Sequence, residues 1–371
     1  MKFVIITHTQ HKLHHGILYG YGPYIREMNL WGKYVDELTI VAPLLKRDLT
    51  KIDLPYHHAN IRLKRIPSLS LTSFGQIIKS IFLAPAIFYV IMREISKADH
   101  IHLRCPGNIG LIGCIAQIFF KRKIKTTKYA GNWDPNAQQP LSYRIQKWLL
   151  SNTFLTRNMQ VLVYGNWGGQ TKNIKPFFTA TYPKSRIGDT IIREFGQDFK
   201  FLFVGSLSAG KRPLYVIQLI EALLEKGVYC SLDIYGEGIE RNILENYIDE
   251  KSLSDSIKLF GNQPSEEVEN ALRNSQFLIL PSKSEGWPKV VAEAMFWGVI
   301  PIVTRVSCVP WMLDHGNRGI LLDYKFNNDV VHIFNKIQQL KTLKMMSKKC
   351  MEWSHKFTLD DFEDEIKKLL K

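Results

Sequence analysis

The stretch Pro281-Ser-Lys-Ser-Glu-Gly-Trp-Pro-Lys-Val-Val-Ala-Glu-Ala-Met-Phe-Trp-Gly298 decides the fold of the C-terminal half. It follows the apolar run Phe277-Leu-Ile-Leu280, which is typical of a buried strand. Proline, serine and glycine then break the strand, and the pattern resumes as a helix with Pro288 in its first turn and Gly298 beyond its end. A strand, a tight loop and a helix make half of a parallel α/β unit.

The start of this helix predicts an anion site. The amides near Lys289 and Val290 have no partner within the helix and carry the positive end of its dipole. Two glutamates bracket the turn, Glu285 in the loop and Glu293 within the first two turns of the helix. Carboxylates accept hydrogen bonds from the neighbouring hydroxyls of sugars. Two solvated surface charges would be the simpler interpretation of the glutamates alone, so the surrounding motifs decide between the two.

Those motifs resemble a known family. Glu285-Gly-Trp-Pro together with Ala292-Glu-Ala resembles the Glu-seven-residues-Glu signature of retaining glycosyltransferases of the family 4 type. Other segments occur in that family's order and approximate spacing: Val204-Gly-Ser-Leu-Ser-Ala-Gly-Lys211, Tyr235-Gly-Glu-Gly238, Leu259-Phe-Gly-Asn262 and Pro301-Ile-Val-Thr304. The resemblance covers residues 200–325 well and the N-terminal half only in outline.

The resemblance implies the GT-B fold, an α/β architecture of two doubly wound Rossmann-like domains that face each other across a cleft. It implies an acceptor-binding domain over residues 1–185 and a nucleotide-sugar-binding domain over residues 200–352. The polar, irregular segment 184–200 would be the crossover. Residues 353–371 would form a C-terminal helix that returns to the first domain, opened by a capping box at Thr358-Leu-Asp-Asp361.

The resemblance also implies roles for individual residues. Lys211, beside a helix N-terminus, would hold the diphosphate, Glu285 the donor sugar and Glu293 the ribose. Glu285 and Lys211 are the predicted catalytic residues. The family usually has arginine after the strand glycine, whereas this chain has Ser206 there, so Arg212 is included as the second charge. The predicted donor site comprises Gly205, Ser206, Lys211, Arg212, Gly236, Asn262, Glu285, Gly286, Trp287, Pro288, Lys289, Val290 and Glu293.

The first half opens with a strand over residues 2–7, a glycine-rich loop over 8–22, a helix over 23–34 and a strand over 35–42. Ligands enter parallel sheets at the carboxyl ends of strands. We therefore predict an acceptor or cleft site comprising Gly16, Gly20, His102, Arg104, Tyr129 and Asp134. Packing of His102 in the core is an equally good interpretation. Many family members have a histidine where this chain has Tyr129 or Ala130, so the catalytic group of this domain stays open.

Charge is distributed unevenly along the chain. Residues 1–200 contain 28 Lys and Arg against 11 Asp and Glu, while residues 201–371 contain 21 and 23. The excess positive charge of the first half indicates contact with something anionic: a nucleic acid, an acidic lipid surface or a phosphorylated acceptor. A simple contribution to solubility is the alternative.

Cysteines and apolar runs bear on the compartment. The five cysteines are far apart and lack metal or redox spacing, so we expect reduced thiols in a cytoplasmic protein. No signal peptide is evident. The apolar run 81–92 is too short to span a bilayer, and we expect a buried helix there. The basic cluster Lys121-Arg-Lys-Ile-Lys125 beside an apolar helix predicts peripheral contact with the inner face of an anionic plasma membrane.

Together these features predict a retaining glycosyltransferase that moves a sugar from a nucleotide-diphosphate sugar to a glycan or lipid-linked acceptor, in surface polysaccharide or lipopolysaccharide assembly. No cofactor is expected beyond the donor, and no metal, because no Asp-x-Asp pair is placed to hold Mg²⁺. One alternative is a nucleotide-sugar epimerase with the same fold. Another is a basic nucleic-acid-binding protein, although no helix-turn-helix, zinc-finger or RNA-binding signature is present.

Overall fold

The structure is a computed structural model that describes residues 1–50, 52–70, 72–190 and 192–371. Its residue contacts divide it into unit 1, Met1–Phe177 with Glu363–Lys371, and unit 2, Phe178–Phe362. Unit 2 begins at Phe178, ahead of the segment 184–200 where the sequence predicts the crossover; Ile191 of that segment lies outside the described residues.

Unit 1 alternates strands and helices along the chain. Its elements are β1 Lys2–Ile6, β2 His11–His14, β3 Ile17–Tyr21, α1 Gly22–Gly32, β4 Glu37–Ala42, β5 Leu44–Leu45, β6 Asp53–Pro55, β7 Ile61–Arg65, α2 Phe74–Lys97, β8 His100–Cys105, α3 Asn108–Ala116, β9 Ile124–Tyr129, α4 Leu141–Ser151, β10 Met159–Tyr164 and β11 Ile174–Phe177. The main sheet is parallel, with strand order β11-β10-β9-β8-β1-β4-β7. Its central strands β1, β8, β9 and β10 are largely buried because helices cover the sheet, whereas the edge strands β7 and β11 are partly exposed.

The loop predicted over residues 8–22 is instead a β-hairpin. β2 and β3 pair antiparallel, with His14 opposite Ile17 and Gly16 in the turn at φ +77°. With β5 and β6 they form a small second sheet. Exposed and buried residues alternate in β3, as in a half-buried strand. In the sequence the glycines and histidines of this segment hide that alternation.

Helix α2 corrects the prediction of a buried helix. It has 24 residues, and its most apolar window has a mean hydropathy of 1.7 but is only 17% buried. By length and composition alone it could cross a membrane. Ile87, Ile91 and Ile95 pack into the core of unit 1, whereas much of the remaining apolar surface faces solvent. An apolar run does not show whether a helix will be buried, because its hydrophobicity does not determine which other elements pack against it.

Unit 2 has a second parallel sheet, with strand order β14-β13-β12-β15-β16-β17. Its elements are β12 Phe199–Val204, α5 Pro213–Glu225, β13 Cys230–Tyr235, α6 Arg241–Glu250, β14 Ile257–Gly261, α7 Ser265–Asn274, β15 Phe277–Leu280, α8 Lys289–Phe296, β16 Ile300–Thr304, α9 Val309–Met312, β17 Ile320–Leu322, α10 Phe326–Ile337 and α11 Leu340–Ser354. The strand, loop and helix predicted around residues 277–298 are confirmed as β15 and α8.

The last helix, α12 Leu359–Leu370, begins with the predicted capping box. The Asp361 amide donates to Thr358 Oγ1 at 3.2 Å, and the Thr358 amide donates to the Asp361 carboxylate at 3.1 Å. Farther along, Glu363 accepts hydrogen bonds from Lys33 and Tyr34, which directly follow α1 in unit 1. The α/β class with two Rossmann-like parallel sheets is confirmed.

Candidate functional site

The candidate site of unit 2 lies where the strand order of its sheet reverses. From β12 the chain passes through α5 to β13 on one side, and from β15 it passes through α8 to β16 on the other. Because β12 and β15 are neighbours, the loops at their carboxyl ends diverge from a common point. Ligands of parallel α/β sheets bind in the crevice at such a point.

Lys211 and Glu285 meet at this reversal. The Lys211 ammonium donates a hydrogen bond to Oε1 of Glu285, and the two side chains form an ion pair that is 28% and 11% exposed. The Lys283 amide donates to the Gly210 carbonyl at 2.9 Å and joins the same two loops. The ammonium can neutralise a phosphate, and the carboxylate can accept hydrogen bonds from hydroxyls.

Glycines let the loops after β12, β13 and β14 approach one another. A Cβ atom on Gly236, whose φ is +139°, would lie 1.9 Å from the Gly205 carbonyl oxygen. The Gly236 amide donates to the Gly261 carbonyl at 2.8 Å, just before Asn262. Only glycine fits at position 236, so these three loops form one continuous backbone surface.

Polar side chains on these loops are accessible. Ser206 and Asn262 are both exposed, and the Ser206 hydroxyl lies 3.1 Å from the Ser208 hydroxyl. Both can therefore hydrogen-bond a ligand, but neither supplies positive charge.

Arg212 positions the start of α5. It adopts a left-handed conformation with φ 55° and ψ 50°. Its guanidinium carbon lies 3.3 Å from the ring centroid of Tyr324, and its Nη1 donates to the Pro281 carbonyl at 3.2 Å. The side chain thus joins the loop after β12 to the loop after β15, and its role toward a phosphate stays a prediction.

A hydrogen bond from the loop after β16 fixes the loop before α8. The Gly286 carbonyl accepts from the Ser307 hydroxyl at 3.2 Å, and Pro288 is the residue before the first helical position, Lys289. Val290 follows in the first turn, so the positive end of the α8 dipole points at this loop.

Trp287 is a predicted donor-site residue, and its role toward a donor stays a prediction. The side chain is buried, with its ring centroid 6.0 Å from that of Trp353 and 6.4 Å from that of Trp311. A large ring in an aromatic cluster anchors the loop through its packing.

Glu293 lies in α8 with its side chain partly exposed. Its Oε1 accepts a hydrogen bond from the Thr181 hydroxyl at 2.6 Å. Thr181 belongs to the segment that begins unit 2, and no local sequence pattern predicts that contact. The carboxylate keeps further lone pairs for a ligand hydroxyl.

In unit 1 the structure agrees with core packing of His102, one of the two interpretations of that residue, and it also places Tyr129, a predicted acceptor or cleft residue, in the core. Both side chains are buried in the core. His102 Nδ1 lies 2.9 Å from Thr126 Oγ1, and the Tyr129 hydroxyl donates to Gln139 at 3.0 Å. Burial lowers the pKa of His102 to about 3, so this imidazole is neutral. Neither side chain presents a surface to an acceptor, because both point from the sheet into a helix-covered layer.

Arg104 belongs to a buried charge cluster that sequence reasoning missed. Oε1 of Glu27 lies 3.2 Å from Arg104 Nη1 and 3.0 Å from Lys128 Nζ. Burial opposes ionisation of Glu27, but the positive charges of Lys128 and Arg104 outweigh it and lower the pKa. The available signal was Glu27 on the otherwise apolar buried face of α1, since a buried charge needs a partner.

His8 also lies near Arg104, at the carboxyl end of β1. Partial desolvation and the positive charge of Arg104 lower its pKa. A Cβ atom on Gly107 would lie 2.6 Å from its Nδ1, so the glycine makes room for the ring. His8 is an exposed imidazole at the carboxyl edge of the main sheet, following β1, which is two strands away from β9 and its last residue Tyr129.

The remaining predicted acceptor residues have structural contacts. Gly16 turns the hairpin, and a Cβ atom on Gly20 would lie 3.0 Å from Ile25 Cδ1. The Asp134 carboxylate accepts from the Asn136 amide at 2.8 Å, and its carbonyl accepts from Lys147 at 2.9 Å. Their acceptor roles stay predictions. Within the described ranges, no group of three or more His, Cys, Asp or Glu side chains is placed to hold a metal ion.

Comparison with known proteins identifies the domain that carries the site. Residues 189–356 match the sequence model of the family described as Glycosyl transferases group 1. An uncharacterized glycosyltransferase of Methanocaldococcus jannaschii is 31% identical over 166 residues, covering 43% of this chain and 45% of the relative. The chain thus aligns with about half the length of this relative.

A second relative has a more informative description. The UDP-Gal:alpha-D-GlcNAc-diphosphoundecaprenol alpha-1,3-galactosyltransferase of Escherichia coli is 26% identical over 176 residues, covering 47% of this chain and 45% of the relative. Among solved structures, Anabaena Alr3699/HepE in complex with UDP superposes with a TM-score of 0.69 at 14% identity, covering 100% of this chain and 99% of that chain. At this identity the likeness shows the fold, which is GT-B.

Proposed function

With a glycosyl transferases group 1 domain over residues 189–356 as the premise, we propose that this protein is a retaining glycosyltransferase of the family 4 type. It moves a sugar from a nucleotide-diphosphate sugar to a glycan or lipid-linked acceptor. The observation that carries the proposal is the Lys211–Glu285 pair at the strand-order reversal of the unit 2 sheet. One cation and one acid at a loop crevice suit a ligand that has both diphosphate and hydroxyls.

The donor is held by unit 2. Lys211 and the positive end of the α8 dipole bind the diphosphate and stabilise it as it leaves. Glu285 binds the donor-sugar hydroxyls and Glu293 the ribose hydroxyls. In the reaction the bond from the anomeric carbon to the diphosphate oxygen breaks, and a bond from the same carbon to an acceptor hydroxyl oxygen forms on the same face. The proton of that hydroxyl passes to the departing diphosphate. The charge on the leaving group is met by the ammonium, so the proposal includes neither a metal nor a cofactor.

The acceptor is assigned to unit 1. Residues 1–200 have the excess of positive charge, which suits an acceptor that carries phosphate. The Escherichia coli relative is named for a diphosphoundecaprenol-linked acceptor, which supports a lipid-linked acceptor here. We place the reaction on the cytoplasmic side of a membrane, in surface polysaccharide or lipopolysaccharide assembly. The cysteines of the described residues are free thiols, which is compatible with that compartment.

A transfer assay tests the proposal. The purified protein is incubated with radiolabelled UDP-, GDP- and ADP-sugars and with polyprenyl-diphosphate-linked acceptors, and the products are separated by chromatography. We expect a lengthened acceptor and free nucleoside diphosphate from one donor, with the anomeric configuration of the donor retained by NMR. An altered donor without a lengthened acceptor would indicate an epimerase. Inversion at the anomeric carbon would contradict retention.

A further inference from the structure

Helix α2 has two apolar faces, and the fold covers one of them. Ile87, Ile91 and Ile95 are buried in the core of unit 1. On the neighbouring face five large apolar side chains are exposed by between 41% and 80%: Phe74, Ile78, Ile81, Phe82 and Tyr89. An exposed apolar patch of this kind on a folded domain marks an interaction surface.

The exposed residues form a narrow stripe. At about 100° per residue, Phe74, Ile78, Ile81, Phe82 and Tyr89 fall within an arc of roughly 100° on the helix. The same geometry puts Lys79 and Arg93, both exposed, along one edge of that arc. The acid of this helix, Glu94, is buried and paired with Lys97 at 3.1 Å. An apolar stripe bordered by cations, with its acid turned inward, is typical of a helix at a lipid interface.

A basic groove lies near the C-terminal end of α2. Lys123 Nζ donates to the carbonyl of Ser96 at 2.8 Å, and the rings of Phe88 and Phe119 lie 6.3 Å apart, so the segment after α3 packs on α2. The other side of this segment lines a groove of about 980 Å³. Its exposed cations are Lys121, Arg122, Arg157, Lys172 and Lys175, and its described lining contains no acid. Lys125 also lines the groove, but its side chain is buried and donates to Gln117.

We propose that the α2 stripe and the basic groove together form a surface that docks on an anionic lipid bilayer. The apolar side chains enter the interfacial region of the leaflet, while Lys79, Arg93 and the groove cations contact lipid phosphates. The exposed face of α2 and the described lining of the groove carry cations and no exposed acid, which suits a negative lipid surface better than the mixed charge of a protein partner. The exposed Asp99 lies between the two features, beside Lys123. The surface is separate from the Lys211–Glu285 site, so the inference does not depend on the proposed transfer reaction.

The contact is peripheral. For α2 to cross a bilayer it would have to leave unit 1 and expose Ile87, Ile91 and Ile95, which pack against the main sheet. Removing three buried isoleucines from the core would cost more than this domain could sustain. The helix therefore lies along the membrane with its core face still packed on unit 1.

Vesicle co-sedimentation tests the proposal on the full chain without donor or acceptor. We expect the protein to sediment with vesicles of phosphatidylcholine and phosphatidylglycerol, to bind pure phosphatidylcholine at least about tenfold less, and to dissociate as salt rises. I81D/F82D should lose at least about tenfold in binding. L340D/M345D, on exposed positions of α11, adds the same charge elsewhere and should bind like wild type.

The cations are tested in the same way. K79S/R93S should weaken binding to anionic vesicles, whereas K341S/K349S removes two exposed lysines from α11 and should not. Equal binding by I81D/F82D and wild type would overturn the proposal. So would a dimer that I81D/F82D dissociates in analytical ultracentrifugation without any change in vesicle binding, because the stripe would then be an interface between copies.

A label gives a readout that does not depend on a destabilising variant. In a C230S background, which removes the half-buried cysteine, F82C with an environment-sensitive fluorophore should shift its emission to the blue on anionic vesicles. The same label on M345C should not shift. No shift at position 82 with vesicle-bound protein would overturn the proposal.

Discussion

The Lys211 ammonium donates a hydrogen bond to the Glu285 carboxylate, although 74 positions of sequence separate the two residues. The pair joins the loops after β12 and β15, the neighbouring strands from which the chain turns to opposite sides of the sheet. Without a ligand, each group neutralises the other. A donor with a diphosphate and a sugar offers each of them a better partner, so we expect the pair to open on binding.

Replacing Lys211 removes the cation of the proposed diphosphate site. K211A should lower turnover at least about tenfold, which corresponds to ~1.4 kcal/mol of transition-state stabilisation, and should also weaken nucleoside-diphosphate binding. Initial-rate kinetics and calorimetry measure the two effects. K226A removes an exposed lysine from the other end of α5 and should behave like wild type. Equal turnover by K211A and K226A would reject the assignment.

Replacing Glu285 should separate sugar binding from diphosphate binding. E285Q keeps the size of the side chain but removes the charge that pairs with Lys211. We expect transfer to fall at least about tenfold while affinity for the free nucleoside diphosphate stays the same or rises, because the ammonium no longer has a competing carboxylate. Calorimetry with the nucleoside diphosphate alone provides the check. A large loss of that affinity would mean that Glu285 supports the diphosphate site and not the sugar.

The Glu293 carboxylate accepts a hydrogen bond from the Thr181 hydroxyl at 2.6 Å. The proposed function gives it the ribose of the donor as a second partner. E293Q should weaken binding of the nucleotide and lower turnover at least about tenfold. T181V removes the intramolecular hydrogen bond but leaves the carboxylate, so it should retain nucleotide affinity. Equal losses in the two variants would indicate that Glu293 serves only to hold Thr181.

The close approach of Gly236 to Gly205 predicts a large effect of one methyl group. The added Cβ would lie 1.9 Å from a carbonyl oxygen at a φ of +139°, and neither backbone can yield without moving a loop. We expect G236A to lose on the order of 2 to 4 kcal/mol of unfolding free energy. G196A, where a Cβ meets nothing within 4 Å, should change the urea-unfolding midpoint little. A midpoint for G236A as high as that for G196A would contradict the packing.

Buried histidines predict acid sensitivity of unit 1. Burial lowers the pKa of His11 and His100 to about 4 and that of His102 to about 3, whereas an unfolded histidine titrates near about 6.5. Between these values the unfolded chain binds protons that the folded chain does not. Stability is therefore fully present above about pH 6.5 and is lost as pH falls toward 4, by up to ~1.4 kcal/mol per pH unit for each histidine.

Urea unfolding between about pH 7 and about pH 5 measures this dependence. H102Q removes one of the three groups and should show a shallower loss of stability on acidification. H57Q removes an exposed ring and is the matched control. The same slope for wild type and H102Q would show that His102 does not contribute.

The sequence predicts the parts of the molecule that depend on local pattern. The buried run Phe277–Leu280, the break at Pro281 and the helix before Gly298 are each set by neighbours in sequence, and the structure has them. Sequence patterns did not predict contacts between distant segments. Examples are Glu27 with Lys128, Thr181 with Glu293, and Arg212 stacked on Tyr324. Each depends on which loops the fold brings together.

The apolar segments show a second limit. The run from Ile81 to Met92 and the aromatic Trp287 are both apolar, yet much of α2 faces solvent and Trp287 is buried. Apolar residues occur both in cores and on interaction surfaces. Whether a given apolar segment is buried depends on which other elements pack against it. The orientations of His102 and Tyr129 were equally undetermined by sequence, because side chains near a strand end point either to the sheet edge or into the covered face, and both of these are buried.

The most direct test of the central claim, that the Lys211–Glu285 crevice binds a nucleotide-diphosphate sugar, is a thermal-shift titration with UDP-, GDP- and ADP-sugars. A ligand that binds only the folded protein raises the melting temperature with its occupancy. We predict that one donor class raises the melting temperature of wild type and of K226A in a saturable way, and that K211A shows no shift at the same concentrations. No shift with any donor, or the same shift in K211A as in wild type, would contradict the account.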